Sequence, residues 1–209
     1  MFRKFFLFLK FRYKKWQKYS DQKRFKCLQK FENFYAKKQH RRPCKLVFGQ
    51  NLPSNVYGVF KGDDWTITVN PNLIYNSNLM FCSMSTLLHE GRHAFQRAHV
   101  KNVYSSNKRV FKFSKAYKWR NSFGGYLDTT NSDYTDYANQ SIELDANMYA
   151  YKQLKKLRHK YKKEKLYFAE VYRLEDWFED VAKMGKEKYG IFYKFKIGRK
   201  NKKLYEKDK

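Results

Sequence analysis

Apolar and aromatic side chains recur at roughly helical spacing through the first forty residues of the chain. They alternate with lysines and arginines and are Phe5, Leu9, Trp16, Tyr19, Leu28, Phe31 and Tyr35. No Gly or Pro occurs within 2–38. The pattern predicts one long or two shorter amphipathic helices that end before Arg42-Pro43, with the aromatic stripe packed on the rest of the protein.

From residue 44 onward the pattern changes to short runs rich in β-branched and aromatic residues. These runs cover 45–48, 56–60 and 65–69, and a Gly-Asp-Asp sequence at 62–64 separates the last two. Such a sequence between two apolar runs is typical of a β-hairpin. We therefore predict a small antiparallel sheet in this part of the chain.

The rest of the chain contains three segments with helical periodicity. Residues 77–98 predict a helix without proline, and 141–161 and 167–188 predict further helices. The intervening 99–137 lacks sustained periodicity and predicts a long irregular region, a feature that is usually functional in a compact domain. Residues 194–209 predict a disordered basic tail. A small sheet combined with several helices predicts an α+β fold.

The predicted helix 77–98 contains the pattern HExxH, formed by His89, Glu90 and His93. Positions i and i+4 lie on one face of a helix, so both imidazoles can point at one zinc ion. Glu90 is rotated by about 100° from His89, which places its carboxylate beside the metal. There it can take a proton from a zinc-activated water. The pattern predicts a zinc metallopeptidase of the zincin type, although a surface helix with two unliganded histidines has the same spacing.

A catalytic zinc site needs a third protein ligand, and two residues are candidates. His99 has the spacing of the metzincin pattern HExxHxxGxxH, in which the glycine lets the chain leave the helix. Gln96 occupies that glycine position. In a continuous helix His99 would lie about 15 Å along the axis from His89 and about 280° around it, so we expect a helix-end histidine there. Glu143, on a separate helix, is the preferred ligand because it completes a two-His, one-Glu set; an exposed helix acid is the alternative.

Other residues near these ligands are candidates for supporting roles. Asp145 and Asn147 lie on the helix predicted to carry the third ligand, and such neighbours often orient metal-binding histidines. Tyr126, Tyr134 and Tyr137 are candidate donors for an oxyanion. Each of these five residues also has a purely structural interpretation.

The two motifs together resemble those of the ImmA/IrrE-type zincin peptidases. The second motif of that family is approximately E-x-E-A-N-x-F-A, and this chain has E-x-D-A-N-x-Y-A at 143–150. By position, His89 and His93 match the family's ligand histidines, Glu90 its catalytic glutamate and Glu143 its third ligand. An arginine replaces the glycine that commonly precedes the second histidine, and the Leu-Met-Pro that often follows the second motif is absent.

The resemblance covers roughly 56–155 and implies a gluzincin-like fold, a zinc cofactor and proteolysis of intracellular regulatory proteins, often in phages and mobile elements. In that fold a small, mostly antiparallel sheet packs on the HExxH helix and on a second ligand-bearing helix. The expected organisation is a basic aromatic helical extension at 1–43, a zincin-like peptidase domain at 44–190 and a basic C-terminal tail at 191–209.

Charge is distributed unevenly along the chain, whose net charge is +27. Residues 1–45 hold 16 Lys or Arg against two acids, residues 46–150 hold 10 against 8, and residues 151–209 hold 20 against 9. Two basic arms therefore flank a nearly neutral middle. Such arms favour DNA, RNA or an acidic membrane face. A coding bias towards lysine explains the same composition without any partner, and no recognised nucleic-acid motif accompanies the charge.

The cysteines and the apolar runs indicate the cellular compartment of the protein. The cysteines, Cys27, Cys44 and Cys82, are odd in number and lack CxxC spacing, which argues against a disulfide framework and favours a reducing compartment. The charge-free run 5–9 is too short for a signal-peptide core or a membrane span. We therefore expect a cytoplasmic protein without a transmembrane segment; interfacial membrane contact by the N-terminal segment stays open.

Three functional hypotheses follow. The first is a zinc endopeptidase that cleaves an intracellular protein substrate with Glu90 as general base. The alternative is a basic nucleic-acid-binding protein whose zincin core is vestigial or serves as a scaffold. A DNA-associated protease that clears proteins from DNA is a third, related to the first.

Overall fold

The structure of the protein is a computed structural model. It describes residues 9–49, 52–106, 110–112, 114–127 and 132–189. The predicted basic tail, 194–209, and the first position of the aromatic stripe, Phe5, lie outside the described residues.

The N-terminal part is helical, as its pattern predicts. A 3-10 turn at Leu9–Phe11 leads into helix α1 (Tyr13–Gln17) and helix α2 (Asp21–Lys38). Ser20 begins α2 by accepting a hydrogen bond from the backbone N–H of Lys23 at 3.3 Å, which satisfies one of the unpaired donors of the first turn. The helix ends before Arg42-Pro43, where the proline disfavours helical backbone in the residue before it.

The aromatic stripe of this part is buried in the same core as the sheet and the later helices. Its innermost members are no more than 4% exposed and are Trp16, Leu28, Phe31 and Tyr35. They belong to one hydrophobic cluster with side chains of the sheet and of the C-terminal helices. The stripe therefore packs on the core, and residues 9–43 are continuous with it.

Three short strands form a mixed sheet. They are β1 (Lys45–Phe48), β2 (Gly58–Lys61) and β3 (Thr66–Val69), in the order β1-β3-β2. The hairpin of β2 and β3 is antiparallel, as predicted. The prediction of a small antiparallel sheet is wrong for β1, which pairs parallel to β3. A hairpin pattern specifies only the two strands it joins. The longer connection after β1 carries the chain to the far edge, and β3 returns between the two strands.

Helices make up most of the chain after the sheet. The helices are α3 (Asn72–Tyr75), α4 (Met80–Ser105), α5 (Lys115–Gly124), α6 (Tyr134–Asn139), α7 (Ser141–Lys155), α8 (Arg158–Tyr161) and α9 (Lys165–Tyr189), with a 3-10 turn at Ser77–Leu79. The α+β fold class agrees with the prediction, within a mostly helical molecule.

The prediction of an irregular region at 99–137 is wrong in three places. Helix α4 continues to Ser105, α5 lies within the region, and α6 begins in it at Tyr134. The hydroxyl of Ser114 caps α5, and the carboxylate of Asp133 caps α6. These helices are too short for periodicity to be visible in the sequence; Trp119 of α5 is buried where that helix packs on α4.

Helix α4 lies at the centre of the molecule and contacts α2, α5, α7 and the β2 edge of the sheet. Small residues let it pack closely. Ala94 on α4 and Ala146 and Ala150 on α7 are fully buried. A Cβ at Gly91 would lie 2.5 Å from Nη2 of Arg41, so a larger residue there would displace the guanidinium from its buried ion pair with Glu32.

Two further findings concern membrane-spanning helices and the cysteines. None of the helices in the described segments is long and apolar enough to cross a membrane. Cys27, Cys44 and Cys82 are buried free thiols. Burial raises the pKa of Cys44 and of Cys82 to about 12, so both stay protonated and inert at neutral pH.

Candidate metal centre

Three side chains from two helices meet at one point. His89 and His93 lie one turn apart on α4, and Glu143 lies in the first turn of α7. The Nε2 atoms of the two histidines are 3.0 Å apart. Nε2 of His89 is 3.3 Å from Oε2 of Glu143, and Nε2 of His93 is 3.4 Å from Oε1 of the same carboxylate. The three predicted ligands are therefore brought together.

The donor atoms are close enough to share one ion. Ligand atoms at about 2.0–2.1 Å from a tetrahedral zinc lie about 3.3–3.4 Å from one another. The two Nε2 atoms are 3.0 Å apart, and they lie 3.3 and 3.4 Å from different oxygens of the Glu143 carboxylate. Among the described residues, His89, His93 and Glu143 are the group of His, Cys, Asp or Glu side chains able to hold a metal ion.

Each histidine is oriented by an amide oxygen on its other ring nitrogen. Nδ1 of His89 is 3.0 Å from Oδ1 of Asn147, and Nδ1 of His93 is 2.9 Å from Oε1 of Gln96. Amide oxygens only accept, so both Nδ1 atoms carry the hydrogen. In the neutral imidazoles the Nε2 lone pairs are thereby directed into the space between the two rings and Glu143, where the three groups could hold a cation. Asn147, one of the two candidates for this role, thus contacts His89.

Gln96 contacts the cluster, and the sequence did not indicate this contact. It is fully buried, and its Nε2 donates to the carbonyl oxygen of Ile142 and to the carboxylate of Asp145, both at 3.0 Å. These two bonds fix which end of the amide faces His93. From the sequence, Gln96 stood out only as the residue in place of the metzincin glycine. Its i+3 spacing from His93 on one helix face was the available indication.

Asp145 contacts the cluster only through Gln96. It contacts neither histidine; its carboxylate binds Nε of Arg92 at 2.6 Å and the amide of Gln96. Arg92 in turn stacks over the rings of Phe95 and Tyr149. The arginine at this position therefore has a defined partner, which ties α4 to α7 beside the cluster.

Two tyrosines hold the carboxylate of Glu143. The hydroxyl of Tyr126 donates to Oε1 and that of Tyr137 to Oε2, each at 3.2 Å. Burial, together with the negative charge of Glu143, raises the pKa of both phenols, so both stay neutral and able to donate. Tyr134, the third candidate, accepts a hydrogen bond from the indole of Trp177 away from the cluster.

The cluster attracts positive charge. Burial by itself raises the pKa of Glu143, but His93 and His89 outweigh burial and hold that pKa well below its ordinary value. Burial lowers the pKa of His93, and Glu143 outweighs it and raises the pKa to about 9. The carboxylate is therefore ionised at neutral pH, and a cation between the three groups is stabilised.

Glu90 lies beside the three donors and not among them. Its Oε1 is 3.9 Å from Nε2 of His89, and its Oε2 accepts a hydrogen bond from the backbone N–H of Phe60 at 2.8 Å. Burial is the main cause that raises its pKa, against the lowering effect of the two histidines. One oxygen is thus fixed to β2, and the other faces the cluster, as a general base requires.

His99 is not part of this group. Because α4 continues past it, the side chain stacks on Phe95 with ring centroids 5.8 Å apart and meets the edge of Trp119 at 5.6 Å. The expected helix-end position is wrong, since His99 lies within the helix. His99 is separated from the cluster because the helix is continuous, as its spacing from His89 predicts.

A cavity of about 410 Å³ opens onto the cluster. Apolar and aromatic side chains line most of it, namely Val56, Val59, Phe60, Phe123, Tyr126, Tyr137 and Ile142. The polar groups in its wall are His89, Glu90, His93 and Glu143. A mostly apolar cavity with a few convergent polar groups is typical of a binding site for a small molecule or a peptide side chain.

The role of Gln96 leads to a prediction. Gln96→Met keeps the volume of the side chain and removes the acceptor for His93, so the imidazole loses its fixed orientation. We expect metal affinity to fall by about 10–100-fold, the usual effect of losing such a partner. Titration calorimetry with zinc, alongside a circular dichroism spectrum, measures this. An unchanged dissociation constant would show that Gln96 contributes only to packing.

No protein-family model matches this chain, and no curated protein or solved structure shows significant similarity to it. Inference about function therefore depends on the side chains themselves. The relevant features are three converging side chains that could bind a metal, the carboxylate of Glu90 fixed beside them and an apolar cavity in front of them.

Proposed function

We propose that the protein is a zinc-dependent metallopeptidase that hydrolyses peptide bonds of a protein or peptide substrate. One observation carries this proposal: a two-histidine, one-carboxylate cluster has a further buried carboxylate, Glu90, beside it and not in it. A purely structural metal site has no use for that fourth group. Its presence supports hydrolysis, because hydrolysis needs a base next to a metal.

His89, His93 and Glu143 would hold the ion through Nε2, Nε2 and the carboxylate. Zinc bound there would supply a Lewis acid, which lowers the pKa of water towards neutrality and polarises a carbonyl group. Two imidazoles and one carboxylate also suit ferrous iron. Glu90 favours the hydrolytic assignment, since it is fixed at the place where a proton must be accepted.

Glu90 performs the proton transfers in this proposal. Its free oxygen accepts a proton from the attacking water, while the N–H of Phe60 holds the other oxygen. The carboxyl group then passes the proton to the leaving amine. Its raised pKa suits both steps, because a base that binds its proton too weakly would accept it poorly.

The substrate binds in the apolar cavity in front of the cluster. Phe60, Phe123 and Ile142 supply walls that fit an apolar side chain next to the cleaved bond. We assign the fold to the zincin type and keep the resemblance to the ImmA/IrrE-type peptidases as part of this proposal. The three buried free thiols support a reducing, cytoplasmic location.

Metal analysis and a hydrolysis assay test the proposal together. We expect about one zinc per chain in purified protein, and cleavage of an unfolded protein substrate that stops on chelation and returns with zinc but not with magnesium. The expectation follows from the hard-oxygen preference of magnesium, which imidazoles do not satisfy. Failure to bind zinc measurably, or bound iron without hydrolysis, would remove the metallopeptidase assignment.

A further inference from the structure

The two basic arms of the chain meet at one cleft on the surface. A cleft of about 1000 Å³ is lined by residues of α1 and its flanks and by residues of α8 and the turn after it. Its basic lining residues are Arg12, Lys14, Lys15, Lys18, His159, Lys160, Lys162 and Lys163. Glu164 is the acid in that lining. Segments about 145 residues apart in sequence thus combine their charges in one concave surface.

Each basic segment is anchored by a buried aromatic residue between its charges. Trp16 is fully buried and stacks on Phe11 with ring centroids 5.4 Å apart. Tyr161 is 4% exposed and packs edge-on against Phe81 at 4.9 Å. The backbone on both sides of the cleft is therefore held by the core, and the lysines project from fixed positions.

The charges of the cleft are available to a ligand. Lys14, Lys15, Lys162 and Lys163 are exposed, and none of them forms a salt bridge within the described part of the chain. Like charges gathered in a concave, low-dielectric surface reinforce one another's potential and concentrate polyanions there. A coding bias explains many lysines in the sequence, but it does not explain why two distant sets face each other.

The geometry points to a nucleic-acid strand as the ligand, and we propose that this cleft binds its phosphate backbone. A positively charged groove that follows a backbone is typical of sequence-independent nucleic-acid binding. An anionic membrane fits less well, because membrane binding uses a protruding face with exposed apolar side chains. Here Tyr161 is buried and Tyr13 half-buried. The cleft shares no lining residue with the cavity at the metal cluster.

The test compares matched pairs of substitutions in the full chain. One variant carries Lys14→Gln and Lys15→Gln, a second carries Lys162→Gln and Lys163→Gln, and a third carries all four. The control carries Lys101→Gln and Lys118→Gln, two exposed lysines on α4 and α5 outside the cleft, so it removes the same charge as either pair. All six side chains are exposed, and thermal unfolding verifies that each variant folds.

The measurement is fluorescence anisotropy with labelled DNA and RNA oligonucleotides, single-stranded and duplex, between about 50 and 200 mM salt. Each cleft pair should lower affinity at low salt by at least about tenfold and reduce the slope of log affinity against log salt by about 2, since each phosphate contact contributes about 0.9. The four-lysine variant should show about twice that change in slope. The control should keep the slope of the unmodified protein.

Three outcomes would overturn the proposal. Equal effects of the control pair and the cleft pairs would mean that net charge alone drives binding. An effect of one cleft pair without the other would mean that the two arms do not form one site. Binding to phosphatidylserine vesicles or polyglutamate that matches binding to nucleic acid would assign the cleft to a different partner. The assay is run with and without chelator, so its result is independent of the peptidase proposal.

Discussion

Glu90→Gln is expected to retain zinc and to lose hydrolysis by at least about a hundredfold in kcat, the usual contribution of a general base. Gln has the size of Glu, and its amide oxygen can still accept the hydrogen bond from the N–H of Phe60 that Oε2 accepts now at 2.8 Å. The amide nitrogen then faces the cluster, where it cannot take a proton from water. The fold and the three donors are left in place.

The measurements are the zinc content, the kcat of the variant and its thermal unfolding. Glu179→Gln is the matched control, because it makes the same chemical change at an exposed position on α9. It should leave zinc content and turnover unaltered. Unchanged turnover in Glu90→Gln would mean that Glu90 has been assigned the wrong role. Loss of zinc in that variant would instead place Glu90 among the ligands.

The positions of the two histidines were predictable because they depend on one local rule. Residues i and i+4 of a helix share a face, and the Nε2 atoms of His89 and His93 are 3.0 Å apart. Glu143 was selected because a carboxylate on a separate helix completes the ligand set, and Asn147 because it lies one turn beyond Glu143; no local rule connects α7 to α4 across that distance in sequence. Their identification as zinc ligand and orienting residue stays a prediction, supported by the contacts they make.

The contacts of Gln96, Tyr126 and Tyr137 were beyond the sequence for a physical reason. Gln96 faces His93 because the carbonyl of Ile142 and the carboxylate of Asp145 hold its other end, and these groups belong to another helix. Tyrosines number 18 in this chain, so no single one could be selected by residue type. Which of them reach Glu143 depends on where α5 and α6 lead the chain.

The sheet and the short helices also divide into parts that local sequence patterns predicted and parts that depend on tertiary structure. The hairpin of β2 and β3 is encoded by a local turn, and it was predicted. The parallel pairing of β1 depends on a crossing connection, which no local pattern describes. Helices α5 and α6 are stabilised by capping at Ser114 and Asp133 and by packing on the core, and their short sequences show little helical periodicity. Local turn patterns thus predict the hairpin, whereas the pairing of β1 and the short helices depend on tertiary contacts.

Glu143→Gln is expected to lose zinc, whereas His99→Ala is expected to retain zinc and hydrolysis. Glu143 supplies the charged donor of the cluster, and its loss should weaken zinc binding by more than the roughly 10–100-fold that an outer partner contributes. The Gln variant keeps the shape that receives the hydroxyls of Tyr126 and Tyr137, so it is the better choice than Ala for preserving the fold. Zinc stoichiometry after dialysis and titration calorimetry measure the effect.

His99→Ala is the matched comparison, because it removes a histidine from the same helix outside the cluster. Its ring contacts Phe95 and Trp119, so a loss of about 1 kcal/mol in the free energy of unfolding is the expected cost. That cost is visible in thermal unfolding and is independent of zinc. Retention of zinc by Glu143→Gln together with its loss in His99→Ala would contradict the two-helix arrangement. Helix α4 would then have to end before His99 in the zinc-bound protein, as the metzincin pattern requires.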